Sequence, residues 1–139
     1  MAARDTLILS KGQGVKIAAL IARIIMGLIF VVFGLNGFLD FLKGPLPPGL
    51  AGQFISAMIQ SHYVWLVSGA QVIGGALVLV GRYIPLGLAI LAPVIVNILT
   101  FHALMMQAGW QPGVLVAICW IIAFIPVRQH FSGLFVQKT

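Results

Sequence analysis

The chain alternates between long apolar stretches and short polar breaks, and four of the stretches are long enough to cross a bilayer. The first is Ile17–Leu39, interrupted only by Arg23 and Asn36; Val64–Gly81, Ile84–Leu104 and Trp110–Val127 follow. A helix rising about 1.5 Å per residue needs about 20 residues to span a hydrocarbon core of roughly 30 Å. The second and fourth stretches, at 18 residues each, are slightly short, a mismatch that local thinning or interfacial aromatics absorb. In lipid each backbone group must be satisfied within its own segment. The alternation of a barrel strand is missing, so the stretches are predicted to be helices.

The breaks differ in kind. Gly81-Arg82-Tyr83 followed by Pro85 predicts a tight helical hairpin, with the proline in the first turn where its missing N–H costs little. The segment Asp40–Tyr63 is longer and opens on GPLPPG, which cannot continue a helix. Leu50–Gln60 then sets Leu50, Phe54, Ile55, Met58 and Ile59 on one helical face, predicting a short amphipathic helix on the surface or capping the bundle. The predicted fold is an all-α integral membrane four-helix bundle with that short amphipathic helix in its first outer loop. A tail of residues 1–16 precedes a single membrane domain over 17–127, and a second tail of residues 128–139 follows it.

Composition narrows the class. The chain is 61% hydrophobic and 7% charged, where a soluble domain carries about 25% charged residues; a soluble enzyme and a disordered chain are excluded. The single cysteine, Cys119, rules out an internal disulfide and a multi-cysteine metal site. The net charge of +6 does not point to nucleic acid, because the basic residues sit singly beside apolar runs, without interleaved stacking aromatics. Their placement is a topology signal. Arg4, Lys11, Lys16, Arg82, Arg128 and Lys138 fall on the side of the termini, and Lys43 alone on the other. Both termini are therefore expected in the cytoplasm, with Tyr63, Trp65 and Trp110 at the outer interface and Tyr83 at the inner one. The N-terminus lacks the apolar core and cleavage site of a secretory signal and reads as mature chain.

Polar groups in hydrocarbon are costly, so each needs a reason. Arg23 lies six residues into the first span. Helical side chains lean toward the N-terminus, so it can snorkel to the inner headgroups or meet an anion, a lipid head or a quinone carbonyl. Asn36, Gln71, Asn97 and His102 all fall in the outer half of their spans. That agreement points to a shared polar patch, a candidate pocket between helices; the plain alternative is interhelical hydrogen bonds of about 0.6 kcal/mol each. Pro93 frees the Ala89 carbonyl and predicts a kink one turn before Asn97. Ala70 and Gly74, four residues apart, predict close helix approach and a central place for the second span. No catalytic residue and no metal ligand set is nominated. The only carboxylates, Asp5 and Asp40, lie outside the hydrocarbon, no two histidines face each other for haem, and no Walker loop, HExxH or GxSxG is present. A solute channel would need a polar stripe through both leaflets, and the inner half offers Arg23 alone.

The stretches ARIIMGLIFVVFGLNGF and AQVIGGALVLVGRYIPLGLAILAPVIVNILTFH, with the PLPP loop between them, resemble the DoxX family of small four-helix bacterial membrane proteins. The resemblance covers Ala22–His102 and implies a four-helix bundle in the bacterial cytoplasmic membrane and, loosely, quinone-linked redox physiology. It also implies two acids that this chain lacks. Gln71 stands where the family commonly carries a glutamate, and Ile118, Cys119 and Trp120 stand where an acidic residue is expected in the last helix. Glutamine keeps a hydrogen bond but cannot exchange protons near neutral pH. The first reading is therefore a non-catalytic accessory or scaffold subunit packing against other membrane subunits, lipid or an apolar cofactor such as a quinone. The alternative is a quinone-linked oxidoreductase component, in which Asn36, Gln71, Asn97 and His102 form a pocket whose amide and imidazole donors hold a quinone carbonyl.

Overall fold

A computed structural model describes residues 1–137; Lys138, counted above in the basic C-terminal tail, lies outside them. The described chain forms α1 (Ala2–Leu39), α2 (Gly49–Gln60), α3 (Tyr63–Val80), α4 (Ile84–Leu104) and α5 (Gln111–Phe124), and closes in 3-10 turns over Ile125–Phe135. The helices α1, α3 and α4, and α5 with its 3-10 extension, are each long and apolar enough to cross a membrane. Packing runs from α1 to α3, α3 to α4, α4 to α5 and α5 back to α1, so the four crossings close as an antiparallel ring. The start of α1 and the 3-10 turns that follow α5 lie at one end of the bundle, the tail end; the α1–α2 loop, α2 and the α4–α5 loop form the loop end. As expected, α3 is the most heavily packed crossing: it meets α1, α4 and α2, with its most extensive seam against α1.

Small residues build that seam, in a pairing the spacing did not suggest. A Cβ on Gly27 would lie 2.8 Å from the Leu79 Cβ and 3.0 Å from the Gly75 carbonyl oxygen; one on Gly75 would lie 3.1 Å from the Gly27 carbonyl oxygen. The two backbones thus cross in direct contact. Gly74 faces the other way, onto Leu91 of α4, and Gly87 of α4 sits against the Gly74 carbonyl. Lipid tails are as apolar as leucine, so close backbone approach and its dispersion contacts hold such helices together. Inside the ring Met26, Phe30, Val78, Leu88, Leu91 and Val116 are fully buried.

Two elements differ from expectation. The first helix begins at Ala2 rather than near Ile17, and residues 1–18 are all exposed. At about 1.5 Å per residue α1 is roughly 57 Å long, nearly twice a hydrocarbon core, so its first half runs beyond the tail end. The capping helix α2 forms where predicted, yet its buried positions are Ala51 and Gly52, with Gly52 seated on the Pro47 carbonyl. Phe54, Ile55 and Met58 are half-buried, while Leu50 and Ile59 remain exposed. The hairpin matches: Gly81 (φ 79°) and Tyr83 (φ 55°) are left-handed, and Pro85 sits in the first turn of α4, which runs unbroken through Pro93.

Candidate ligand cavity

Toward the loop end the ring forms a half-open cavity of about 300 Å³. The first crossing contributes Ile29, Phe30 and Phe33, α3 Gln71, α4 Ile98 and His102, and α5 with its preceding loop Gly109, Pro112, Gly113 and Val116. Every crossing supplies a wall, and the lining is apolar except for one amide and one imidazole. A concave apolar surface with a few polar groups to fix orientation is the make-up of a small-molecule site, and this volume suits a single ring-sized headgroup. Gln71 lies eight residues from the loop-end start of α3, and His102 two residues from the end of α4. The amide therefore sits about 12 Å below its helix end and the imidazole about 3 Å below its own.

The His102 ring is held by its own chain. Nδ1 lies 3.1 Å from the Met106 carbonyl oxygen. A carbonyl only accepts, so Nδ1 carries the hydrogen, and in the neutral ring Nε2 is left as an acceptor. The ring meets Phe101 edge-on at 5.3 Å between centroids, and Phe101 in turn meets Phe54 of α2 at 5.8 Å. A Cβ on Gly113 would lie 3.9 Å from the His102 Cδ2, and one on Gly109 4.0 Å from its Cε1. The Nε2 atom sits between those two carbons and so faces the start of α5. Glycine at both places leaves that edge of the ring uncovered. Gln71 roots at the α1–α3 seam, its Cβ 3.0 Å from where a Cβ on Gly34 would stand.

Of the four polar residues expected to share a patch, the structure brings Gln71 and His102 into one cavity and sets the other two apart. Asn97 lines a second crevice of about 190 Å³ between α2, α3 and α4, with Phe54, Met58, Val67 and again His102, and is exposed. The Asn36 Oδ1 accepts the Leu42 N–H at 2.6 Å, just past the left-handed Asp40 (φ 48°) that ends α1. Asn36 also borders a cleft beside α2 with Asp40, His62 and Trp65. Counting along a span gives depth; which way a residue faces depends on which side of the helix is packed.

Arg23 is half-buried, and its Nε donates to the Val78 carbonyl at 2.9 Å while the guanidinium covers Gly81. It thereby satisfies one of the carbonyls that the C-terminus of α3 leaves without a helical donor. Its lean toward the tail end was legible; the acceptor was not. Trp120 was missed altogether. Its Nε1 donates to the Leu88 carbonyl of α4 at 2.9 Å, and the indole stacks on Phe124 at 5.1 Å. The available signal was Pro93, which loosens the α4 ladder at the neighbouring Ala89 carbonyl. Among the described residues no three His, Cys, Asp or Glu side chains gather as metal ligands.

The family model described as DoxX matches residues 18–104 of this chain, from within α1 to the end of α4, and so takes in both polar residues of the cavity. Neither a curated protein nor a solved structure matches it.

Proposed function

This chain belongs to the DoxX family, and on that premise we propose that it is a non-catalytic membrane scaffold holding an apolar, hydroxyl-bearing ring of the quinol class in the loop-end half of its bundle. The observation that carries the reading is the 3.1 Å contact of the His102 Nδ1 with the Met106 carbonyl oxygen. With Nδ1–H directed at the Met106 carbonyl, the Nε2 of the neutral ring, on the edge facing the start of α5, accepts a hydrogen bond. A quinone carbonyl needs a donor; a quinol hydroxyl needs an acceptor. Deeper in the cavity the Gln71 carboxamide takes either role. The ligand favoured is thus the reduced ring, the reverse of the donor arrangement that the sequence suggests. The two carboxylates, Asp5 in the first turn of α1 and Asp40 just past its end, lie outside both the apolar stretch Ile17–Leu39 and the cavity lining, which supports holding the ligand over transforming it. By the placement of the cations the termini are cytoplasmic and the cavity belongs to the outer leaflet.

The test is a titration of the full chain in nanodiscs with a short-tailed benzoquinol, under reductant, and with the matching benzoquinone, read by tryptophan fluorescence. The quinol is expected to bind more tightly, and His102→Leu and Gln71→Leu each to weaken it by roughly tenfold, the equivalent of one buried hydrogen bond. Equal affinity for the two redox forms, or undiminished quinol binding by His102→Leu, refutes the reading.

One observation favours the redox alternative. An acceptor nitrogen beside a quinol hydroxyl is placed to take its proton on oxidation, with the electrons passing to a redox centre on a partner subunit. Co-purification with a stoichiometric redox partner supports that version, and a chain that runs alone in mild detergent removes it.

A further inference from the structure

We propose that the cleft between the loop end of α1, α2 and the start of α3 binds a phospholipid with a phosphoethanolamine headgroup from the loop-end leaflet. The cleft holds about 520 Å³ and is half-open. Its polar lining is Asn36, Asp40, His62 and Trp65, and its apolar lining includes Ile55, Met58, Ile59 and Val64. It shares no residue with the cavity around Gln71 and His102, so it stands apart from the quinol reading. Gly37 forms its base. A Cβ there would run into the Ser68 Oγ and lie 3.6 Å from the Val64 Cγ2, so α1 and α3 stay in contact up to their loop ends. The seam thereby holds Asn36 and Asp40 of one helix end beside His62 and Trp65 of the other. The apolar stretch of α1 ends at Leu39, which sets Asp40 where hydrocarbon gives way to headgroups, the level an interfacial tryptophan also favours.

The chemistry of the lining selects the headgroup. Asp40 is the one carboxylate at the loop end, and neither lysine nor arginine joins it in the cleft. Lys43, three residues on, is exposed and outside the lining. Against this single anion stand three donors. The Asn36 Oδ1 accepts the Leu42 N–H at 2.6 Å, which leaves the amide nitrogen with both of its hydrogens to give. The His62 ring keeps at least one N–H in either charge state. It meets the Trp65 indole edge-on at 4.6 Å between centroids, and the indole carries an N–H of its own. None of the side-chain hydrogen bonds among the described residues involves the Asp40 carboxylate, the His62 ring or the Trp65 indole. A primary ammonium donates to a carboxylate, and a phosphate diester accepts from N–H groups, so a zwitterion bearing both uses the whole set. A choline head has no N–H to give, and a glycerol head brings its phosphate toward Asp40 with no cation to offset it. The apolar walls take the first carbons of the acyl chains, which a free phosphoethanolamine lacks.

The experiment takes the full chain in detergent micelles doped with phosphatidylethanolamine, phosphatidylcholine or phosphatidylglycerol of identical chains. Native mass spectrometry counts the lipid retained on the protein. Phosphatidylethanolamine is expected to be held about tenfold more tightly than either of the others, and Asp40→Asn to remove that margin, the equivalent of one charge-assisted hydrogen bond. Asparagine tolerates the left-handed backbone at this position (φ 48°), so the turn out of α1 survives the substitution. Lys43→Gln, which removes a charge from the same loop but outside the lining, should leave retention within about twofold, as for a screened surface charge. Excess phosphoethanolamine without chains should not displace the lipid. Equal retention of the three headgroups, an undiminished margin in Asp40→Asn, an equal loss in Lys43→Gln, or displacement by the free headgroup overturns the proposal.

Discussion

Adding one methyl group to Gly27 tests the α1–α3 crossing where it is tightest. A Cβ there would stand 2.8 Å from the Leu79 Cβ, 3.0 Å from the Gly75 carbonyl oxygen and 3.1 Å from the Leu79 Cα. These neighbours are backbone or the first side-chain carbon, so no rotamer change relieves them. Ordinary contact lies at about 3.5–4.0 Å, and the helices must part by somewhat under 1 Å to restore it. A gap of that size forfeits about a quarter to a half of each contact across the seam, and overpacking of this kind costs about 1–3 kcal/mol. Against it stands the preference of a helix interior for alanine, about 0.5–1 kcal/mol. The balance for Gly27→Ala is destabilisation by about 0–2.5 kcal/mol, centred a little above 1. Gly69→Ala is the control, because no atom lies within 4 Å of a Cβ built there, and it should be neutral or stabilising by up to about 1 kcal/mol. Adding Gly75→Ala to Gly27→Ala should cost less than the sum of the two, since helices already parted make room for the second methyl. Equilibrium unfolding in mixed micelles, followed by circular dichroism, reads all four variants. A Gly27→Ala protein as stable as the Gly69→Ala control, or strictly additive losses, would refute the reasoning.

Arg23→Leu removes the donor to the Val78 carbonyl and uncovers Gly81, and should lower stability in the same assay by about 1–3 kcal/mol. Arg23→Lys should recover part of that loss; an Arg23→Leu protein of full stability would show the bond to be idle. For topology, Lys43→Cys and Arg128→Cys in the Cys119→Ser background are treated on intact cells with a membrane-impermeant maleimide. Labelling is expected at position 43 only, and the opposite pattern would invert the outer-leaflet assignment of the cavity.

Hydropathy made α4 legible to the residue because breakers bound it on both sides: the Gly81-Arg82-Tyr83 turn and the polar loop after Leu104. It failed at the start of α1 for a physical reason. Counting apolar residues finds where lipid begins, whereas nothing in residues 2–16 stops a helix from continuing into water, and the two glycines there only weaken it. The amphipathic helix was legible as an element, but its buried face was not, because Gly52 packs on the Pro47 carbonyl of a loop whose path no periodicity encodes. The same limit explains the small-residue seam. Ala70 and Gly74 carry the familiar four-residue spacing, yet adjacent Gly74 and Gly75 serve α4 and α1 respectively, which follows from the order of helices around the ring.

Five residues separate Asn97 from His102, about 140° around a helix of about 3.6 residues per turn. Asn97 is thereby set beside α2 while His102 is turned toward the start of α5. Because the Met106 carbonyl holds His102 from within the same chain, the imidazole needs nothing from Asn97 to keep its tautomer. Asn97→Leu is therefore expected to leave the quinol titration within about twofold of the parent, while His102→Leu loses roughly tenfold in quinol affinity. A tenfold loss in Asn97→Leu as well would mean that α4 shifts as a body, coupling the crevice beside α2 to the cavity.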